Sequence, residues 1–206
     1  MDFEGARRYC EQTLEPALQS RDLFSYFLGQ NLLGKVYLGM QDYPRAFSCF
    51  NEITRRVEGE GLLMDGIFYS LFHQGFCEYW LAQGNLRQAR REATRLCELA
   101  MLPPERTYLA IGHQLLAKVA IAEQAWDEAQ AQVSRALAIV EGAEVPLAAW
   151  RVYATAAELH RCKGHTVEVE TYRRRGVEVI QALADSLDDN DLLRPSLLAH
   201  PLLTSS

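Results

Sequence analysis

The stretch LGKVYLGMQDYPRAFSCF, which spans Leu33–Phe50, decides the fold of this chain. Leu33, Gly34 and Tyr37 fall on one face of a helix, because residues three and four apart are neighbours there. The residues from Gly39 to Tyr43 predict a tight turn, and helical spacing resumes after them. The stretch therefore predicts two antiparallel helices joined by a short turn.

Two helices that cross closely need a small residue on each helix and large side chains that fill the space beside the crossing. Gly34 and Ala46 are the small pair in this stretch, and Tyr37 and Phe50 are the large side chains. Leu-Gly, Tyr, Ala and Phe at these spacings resemble the tetratricopeptide repeat, a hairpin of two helices. The resemblance implies an all-α chain in which antiparallel helix hairpins stack as a right-handed α-solenoid.

The same pattern recurs along the chain with a constant spacing inside each hairpin. The two small residues are 12 positions apart in every case: Gly34 and Ala46, Cys77 and Ala89, Ala117 and Ala129, and Ala157 and Val169. Successive hairpins are about 40 residues apart, a period longer than the usual ~34 residues of tetratricopeptide arrays. We therefore predict a tetratricopeptide-like array with longer helices than standard. The valine in the fourth pair predicts that packing departs most from the pattern there.

We predict a single tetratricopeptide-like domain over residues 1–206. It divides into a half repeat, four full repeats and a C-terminal cap, at residues 1–19, 20–61, 62–102, 103–143, 144–184 and 185–206. The opening DFEGARR aligns with DYPRAFS at Asp42–Ser48, so the first helix corresponds to the second half of a hairpin. Half a hairpin leaves an apolar face open to water, so we expect a fragment of a longer multidomain protein. The alternative is an unpaired N-terminal capping helix.

Two of the repeat ends carry their own signals. The phrase EGEG at Glu58–Gly61 ends the first full repeat, and Pro103-Pro104 ends the second, because proline breaks a helix. The tail from Asp185 contains four leucines that we expect to fold back over the last repeat, namely Leu192, Leu193, Leu197 and Leu198. A terminal cap covers the open end of a solenoid. The alternative is a docking segment for another domain.

Composition excludes several classes of protein. The net charge of −6 and the pI of about 5.4 disfavour direct nucleic-acid binding, since such proteins are usually basic. No window of about 20 residues lacks polar groups, so no membrane-spanning helix is expected. The N-terminal MDFEGARRYCEQ lacks the apolar core of a signal peptide. The five cysteines are odd in number and form no CxxC pair, so we expect small buried residues in a cytoplasmic protein.

The period and the acidic, leucine-rich ending DSLDDNDLLRPSLLAHP are similar to the repeat region of large bacterial signal-transduction ATPases. That family includes maltose-activator-type (LuxR-family) regulators and multidomain cyclases and kinases. Its repeats form a sensor arm or scaffold beside catalytic or DNA-binding modules. This chain has no GxxxxGK[ST] phosphate loop, cyclase pattern or basic helix-turn-helix. The resemblance therefore implies a non-catalytic arm that serves signal transduction or transcription regulation.

The repeat register predicts three rows of residues on the concave side, where a solenoid presents its first helices. The first row holds mainly amides: Asn31, Gln74, Gln114 and Ala154. The second row alternates in charge: Lys35, Glu78, Lys118 and Glu158. The third row is apolar until its last member: Leu38, Leu81, Ile121 and Arg161. Such a groove suits a helix or an extended peptide. The alternative is that the helices pack on themselves and the charges pair or face solvent.

Other chemistry-bearing residues favour a structural role. A set of aromatic residues at the starts of first helices is expected to be core, with one or two at a rim that anchor a ligand: Phe24, Tyr26, Phe27, Phe68, Tyr69, Phe72 and Tyr108. His73 and His113 share a repeat position and are expected at the helix surface or between repeats. His160, Cys162 and His165 bracket the fourth turn, but no fourth ligand is evident. We expect no catalytic residue, metal or cofactor.

Two functions follow from this pattern. The first is a scaffold that binds a protein or peptide, or adjacent domains of the same chain, and open solenoid ends would also allow oligomerisation. Neither nucleic acid nor membrane is an expected partner. The second is a small-molecule effector receptor with a closed concavity of ~300–1,000 Å³. Its walls would include Asn31, Lys35, Gln74 and Glu78.

Overall fold

The computed structural model describes residues 2–60, 66–101, 104–189, 191, 193–200 and 203, without the side chains of residues 58–60 and 67. In these residues the regular structure is helical, with an isolated bridge between Met101 and Pro104. The helices in chain order are α1 Phe3–Gln19, α2 Leu23–Gly39, α3 Tyr43–Glu60, α4 Gly66–Ala82, α5 Leu86–Ala100, α6 Arg106–Ala122, α7 Trp126–Gly142, α8 Pro146–Cys162, α9 Thr166–Asp185 and α10 Arg194–Leu198. The chain is therefore all-α, as predicted. None of the described helices is long and apolar enough to cross a membrane.

Several of the predicted landmarks lie outside the described residues. These are Gly61 at the end of the first full repeat, Leu62 and Leu102 at the limits of the second, Pro103, and Leu192 in the tail. Pro104 lies between α5 and α6, where the sequence predicts a helix break.

Five turns between described helices share one backbone geometry. The middle residue of each has a φ between 58° and 76°, and these residues are Arg21, Gln41, Gly84, Gln124 and Gly164. After α4, the backbone N–H of Asn85 donates to the carbonyl of Trp80 at 2.9 Å, and that of Gly84 donates to Leu81 at 3.0 Å. This Schellman arrangement satisfies carbonyls that the end of a helix leaves free. The tight turn predicted at residues 39–43 is therefore confirmed.

Replacing Gln124 with glycine is expected to raise the free energy of unfolding by about 0.5–1 kcal/mol. Gln124 has a φ of 58°, where a Cβ atom is crowded and glycine is not. The matched control is Ala122→Gly at the exposed last residue of α6, expected to lower stability by roughly 0.5 kcal/mol because glycine disfavours helix. Urea denaturation followed by circular dichroism measures both. A loss of stability in both variants would contradict the turn geometry.

The helices form two compact units, and the first, the N-terminal unit, spans Asp2–Leu99. In this unit α2 packs against α1, α3 and α4, and α3 also packs against α4. Phe50 on α3 is fully buried. A Cβ atom added to Gly34 on α2, or to Gly75 on α4, would lie 2.9 Å from its ring. The predicted crossing of Gly34 with Phe50 is therefore confirmed, and Gly75 provides a second close approach that the sequence pattern did not indicate.

The next predicted crossing also brings its small residues together. Cys77 on α4 and Ala89 on α5 are both fully buried. The thiol of Cys77 donates to the backbone carbonyl of Ala89, with 3.2 Å between sulfur and oxygen. Only a small side chain at both positions allows this approach of the two backbones.

The second unit, the C-terminal unit, begins at Ala100. In it α6 packs against α7 and α8, α8 packs against α7 and α9, and α10 packs against α9. Ala117 and Ala129 are fully buried in one apolar cluster. Ala157 and Val169 are only half-buried, so the fourth pair departs from the others as its valine predicts.

The short helix α10 lies against α9 at the end of the described chain. The ring of His200, just after α10, meets the ring of Trp150 edge-on at 4.8 Å between centroids. Leu193 and Leu198 remain 64% and 41% exposed. Contact with α9 fits the predicted cap, and the exposed leucines leave the docking alternative open.

The cysteines follow the predicted pattern with one exception. Cys10, Cys49, Cys77 and Cys97 are buried and form no disulfide with any described residue, and burial raises the pKa of Cys49 to about 12. Such a thiol is inert, because the thiolate is the reactive form. Cys162 is exposed at the end of α8, so the prediction that all five cysteines are buried is wrong there.

Candidate functional site

The row of predicted amides lies inside the helix packing. Asn31 is fully buried, and Gln74 and Gln114 are 3% and 6% exposed. Gln74 donates to Glu78 at 3.0 Å, and Gln114 donates to the hydroxyl of Thr155 at 2.8 Å. Ala154, at the same register position, is half-buried. In this arrangement the three amides bond or pack within their own unit, which fits the alternative that the helices pack on themselves.

The predicted charged row is divided between pairing and exposure. Lys35 on α2 and Glu78 on α4 form an ion pair at 3.9 Å, with both side chains about three-quarters buried. This pair joins two first helices, as the pairing alternative predicts. Lys118 is exposed and Glu158 is half-buried.

The predicted apolar row is covered to different extents. Leu38 and Leu81 are half-buried, whereas Ile121 belongs to the core of the C-terminal unit. Arg161, which ends this row, is exposed. The exposed members of all three predicted rows are therefore Lys118 and Arg161. The partly accessible members are Lys35, Leu38, Glu78, Leu81, Ala154 and Glu158.

One recess of the N-terminal unit lies between α3, α4 and α5, and we call it the aromatic cleft. Its volume is about 350 Å³. Its walls comprise Ile53, Thr54 and Val57 from α3, Tyr69, Phe72, His73, Phe76 and Trp80 from α4, and Gln88, Arg91 and Glu92 from α5. Tyr69 and Phe72 were among the aromatic residues for which the sequence predicts core or rim positions.

The wall from α4 is aromatic along its length. Phe72, Phe76 and Trp80 are four residues apart, so they follow one face of the helix. The ring centroids of Phe72 and Phe76 are 5.5 Å apart, and those of Phe76 and Trp80 are 5.3 Å apart. The indole N–H of Trp80 is buried and has no acceptor among the described residues. This wall therefore offers apolar contact to a segment in the aromatic cleft.

A paired histidine and carboxylate occupy the end of the aromatic cleft. Nδ1 of His73 on α4 lies 2.7 Å from a carboxylate oxygen of Glu92 on α5, and both side chains are largely buried. At the equivalent position of the next hairpin, Nδ1 of His113 lies 2.8 Å from the side-chain oxygen of Gln132. Burial lowers the pKa of His113. Both histidines thus bridge the two helices of one hairpin, rather than lying free at a helix surface or between repeats.

The aromatic cleft continues onto a second recess of about 540 Å³, which we call the arginine face. Its lining residues are His73, Arg87, Arg90, Arg91, Glu92, Thr94, Arg95 and Glu98. His73, Arg91 and Glu92 line both recesses, so the two form one continuous surface. Arg95 pairs with Glu98 at 2.9 Å. Exposed Arg87 and Arg91 form no ion pair with any residue that the structure describes.

The equivalent recess in the preceding hairpin differs in charge. It lies 43 positions earlier in the register, has a volume of about 400 Å³, and is lined by Tyr26, Gln30, Leu33, Tyr37, Arg45, Ser48, Cys49 and Glu52. Gln30 stands there in place of His73, and Ser48 in place of Arg91. A recess therefore forms in both hairpins. The residues of α5 give the recess of the α4–α5 hairpin its basic rim.

The sequence did contain a signal for this site that our prediction missed. Arg87, Arg91 and Arg95 recur at every fourth position of α5, so they share one face of the helix. The predicted groove used first helices only, whereas the arginines lie on a second helix. Their significance depends on the neighbouring aromatic wall, which comes from α4.

Comparison with known proteins identifies a fold and no family. No protein-family model matches the chain, and no curated protein matches it. The solved structure of BtubC (BKLC) from P. vanneervenii is similar over 93% of this chain and 77% of that chain. The TM-score is 0.66 and the sequence identity is 13%. At this identity the likeness concerns the fold alone.

Proposed function

We propose that this chain is a non-catalytic interaction module whose N-terminal unit binds an acidic peptide segment. The segment would belong to another protein or to an adjacent domain of the same chain. One observation carries this proposal: the aromatic cleft runs directly into the arginine face, where Arg87 and Arg91 have no acidic partner among the described residues. Aromatic walls bind apolar side chains, and unpaired guanidinium groups bind carboxylates.

We also propose that the module is a right-handed, tetratricopeptide-like solenoid with a period of about 40 residues. The helix bounds support this, since the first helices of the hairpins begin at Leu23, Gly66, Arg106 and Pro146. The shared turn geometry and the buried small pairs support it as well. The proposed role is that of a regulatory arm in a bacterial signalling or transcription-regulating ATPase, and this rests on the resemblance of the repeats and tail.

The geometry does not favour an effector receptor built on the predicted concave residues. Asn31 and Gln74 are buried, and Lys35 and Glu78 are engaged with each other. A ligand there would have to displace these contacts. The aromatic cleft and the arginine face are instead open recesses, which suit a peptide better than an enclosed small molecule.

The proposal is tested with fluorescein-labelled peptides of about 12 residues that alternate glutamate with leucine or phenylalanine. The double variant Arg87→Glu/Arg91→Glu is expected to weaken binding at least ~10-fold, because charge reversal makes the rim repel the peptide. Fluorescence anisotropy at several salt concentrations measures the affinity. Binding by the unchanged chain should weaken as salt rises, since exposed charges are screened.

The matched control is Arg8→Glu/Arg106→Glu. Both arginines are exposed, neither forms an ion pair with a described residue, and the net charge changes by the same amount. This variant is expected to bind the peptides almost as the unchanged chain does. Equal weakening by both double variants would mean that net charge alone governs binding. No saturable binding by any peptide would also contradict the proposal.

A further inference from the structure

Three side chains with metal-binding atoms converge at the turn between α8 and α9. Nδ1 of His160 lies 3.2 Å from Nδ1 of His165. Glu168 completes the group, and one ligand atom from each of the three side chains lies within 4.8 Å of the other two. His160 is half-buried, and the other two side chains are exposed. The group lies wholly within the C-terminal unit.

The backbone of the turn brings the two histidines together. The N–H of His165 donates to the carbonyl of His160 at 2.9 Å, and Gly164 between them has a φ of 76°. This is the bond that closes each Schellman turn of the chain. The same two positions hold Tyr37 and Asp42, Trp80 and Asn85, and Ala120 and Ala125 in the other hairpins. The fold thus supplies the proximity, and the residues of this turn supply the imidazoles.

A contact with α9 holds one of the two rings in place. The ring of His160 stacks on Tyr172 of α9, with 5.5 Å between centroids and 24° between planes. The ammonium group of Lys163, in the same turn, donates to the side-chain oxygen of Gln130 at 3.2 Å. This bond draws the nearest lysine towards α7, which lowers its repulsion of a bound cation.

The distance between the two ring nitrogens fits a shared metal ion. Two nitrogens that each lie ~2.0–2.1 Å from zinc in tetrahedral geometry are about 3.3–3.4 Å apart. The observed 3.2 Å is close to that distance. A carboxylate from Glu168 adds a third ligand, and a water molecule would complete a tetrahedron. Two imidazoles with one carboxylate suit Zn²⁺ or Co²⁺ better than Ca²⁺ or Mg²⁺, which prefer oxygen ligands alone.

We propose that His160, His165 and Glu168 bind one divalent transition-metal ion, with Zn²⁺ as the preferred ion, and that the ion fastens the end of α8 to the start of α9. The sequence alone predicts no metal here, because His160, Cys162 and His165 lack an evident fourth ligand. Glu168 lies on the first turn of α9, one helical turn beyond His165, and its position becomes informative only when the turn is folded.

The test uses the full chain without an affinity tag, titrated with Zn²⁺ by calorimetry and with Co²⁺ by visible absorption. One ion per chain is expected, and the Co²⁺ spectrum should show the intense bands of four-coordinate geometry. The melting temperature should rise by roughly 5 °C when free Zn²⁺ is a hundredfold above its Kd. His165→Ala and His160→Ala should each weaken binding at least ~10-fold, and Glu168→Gln should weaken it less.

Two further variants test whether side chains outside the group bind the ion. His200→Gln removes a histidine that packs on Trp150 outside the group and should leave Zn²⁺ affinity unchanged. Cys162→Ser removes the exposed thiol two residues from His160 and should also bind normally. The proposal is overturned if the unchanged chain binds no Zn²⁺, if His165→Ala binds as tightly as the unchanged chain, or if Cys162→Ser abolishes binding.

Discussion

Replacing Phe50 with alanine is expected to lower the free energy of unfolding of the N-terminal unit by about 3–5 kcal/mol. The ring is fully buried and packs with Phe72, Phe76 and Tyr79 at centroid distances between 5.5 and 6.5 Å. Glycines on α2 and α4 approach it from two sides. Backbone that is already this close has little room to collapse into the cavity, so the loss should lie near the top of the range.

Phe47→Ala is the matched control for this loss. Phe47 lies one helical turn earlier on α3, contacts Phe76, Tyr79 and Trp80, and is 36% exposed. Its removal should cost roughly 1–2 kcal/mol, because part of its surface already faces water. Urea denaturation followed by circular dichroism compares the two variants. Equal losses would mean that Phe50 is not the centre of the packing between α2, α3 and α4.

The hairpins and turns were predictable because their determinants are local. A small residue, a large residue and a turn within 18 positions fix one crossing, and the structure places Gly34 against Phe50 as that pattern predicts. The left-handed position of the first turn is Gln41 and not glycine, yet the neighbouring residues still indicated a turn. Sequence periodicity reports such short-range relations well, since a helix repeats every 3.6 residues.

The burial of the amide row was not predictable from the same pattern. The register assigns a face of the helix but says nothing about how closely the next helix approaches it. Gly75 allows α4 to approach Phe50 and Asn31 closely, and the side-chain oxygen of Asn31 lies 3.0 Å from where a Cβ of Gly75 would be. Both amide atoms of Asn31 are buried without a hydrogen-bond partner among the described residues. A tertiary contact therefore buries Asn31, which the repeat pattern assigned to the concave groove.

The arginine face could not be predicted from the sequence for a different reason. The fourfold spacing of the arginines on α5 is visible in the sequence, but exposed charged faces are common on helices. What distinguishes this face is its junction with the aromatic cleft at His73, Arg91 and Glu92. That junction combines residues from separate helices. The metal-binding group could not be predicted for the same reason, because only the folded turn at Gly164 brings His160 and His165 together.

Replacing Gly34 with leucine is expected to destabilise the N-terminal unit by about 1–3 kcal/mol or more. Three atoms of the Phe50 ring lie 2.9–3.2 Å from the position of the new Cβ, so the two helices would have to separate. Gly66→Leu is the control in the same unit, because no side chain among the described residues, apart from chain neighbours, lies within 4 Å of a Cβ atom added there. Thermal denaturation should show a lower melting temperature for Gly34→Leu alone. An unchanged melting curve would mean that the register of the α2–α3 crossing is wrong.

A double-mutant cycle separates overpacking from any general intolerance of leucine at position 34. In the Phe50→Ala background the ring that opposes the new side chain is gone, so Gly34→Leu should cost less than it does alone. The leucine would also fill part of the cavity that Phe50→Ala leaves, which returns apolar contact to the crossing. The coupling between the two sites should therefore be favourable by ~1 kcal/mol or more. Strict additivity would show that residue 34 and the Phe50 ring do not share one space, and the close crossing of α2 and α3 would fail with it.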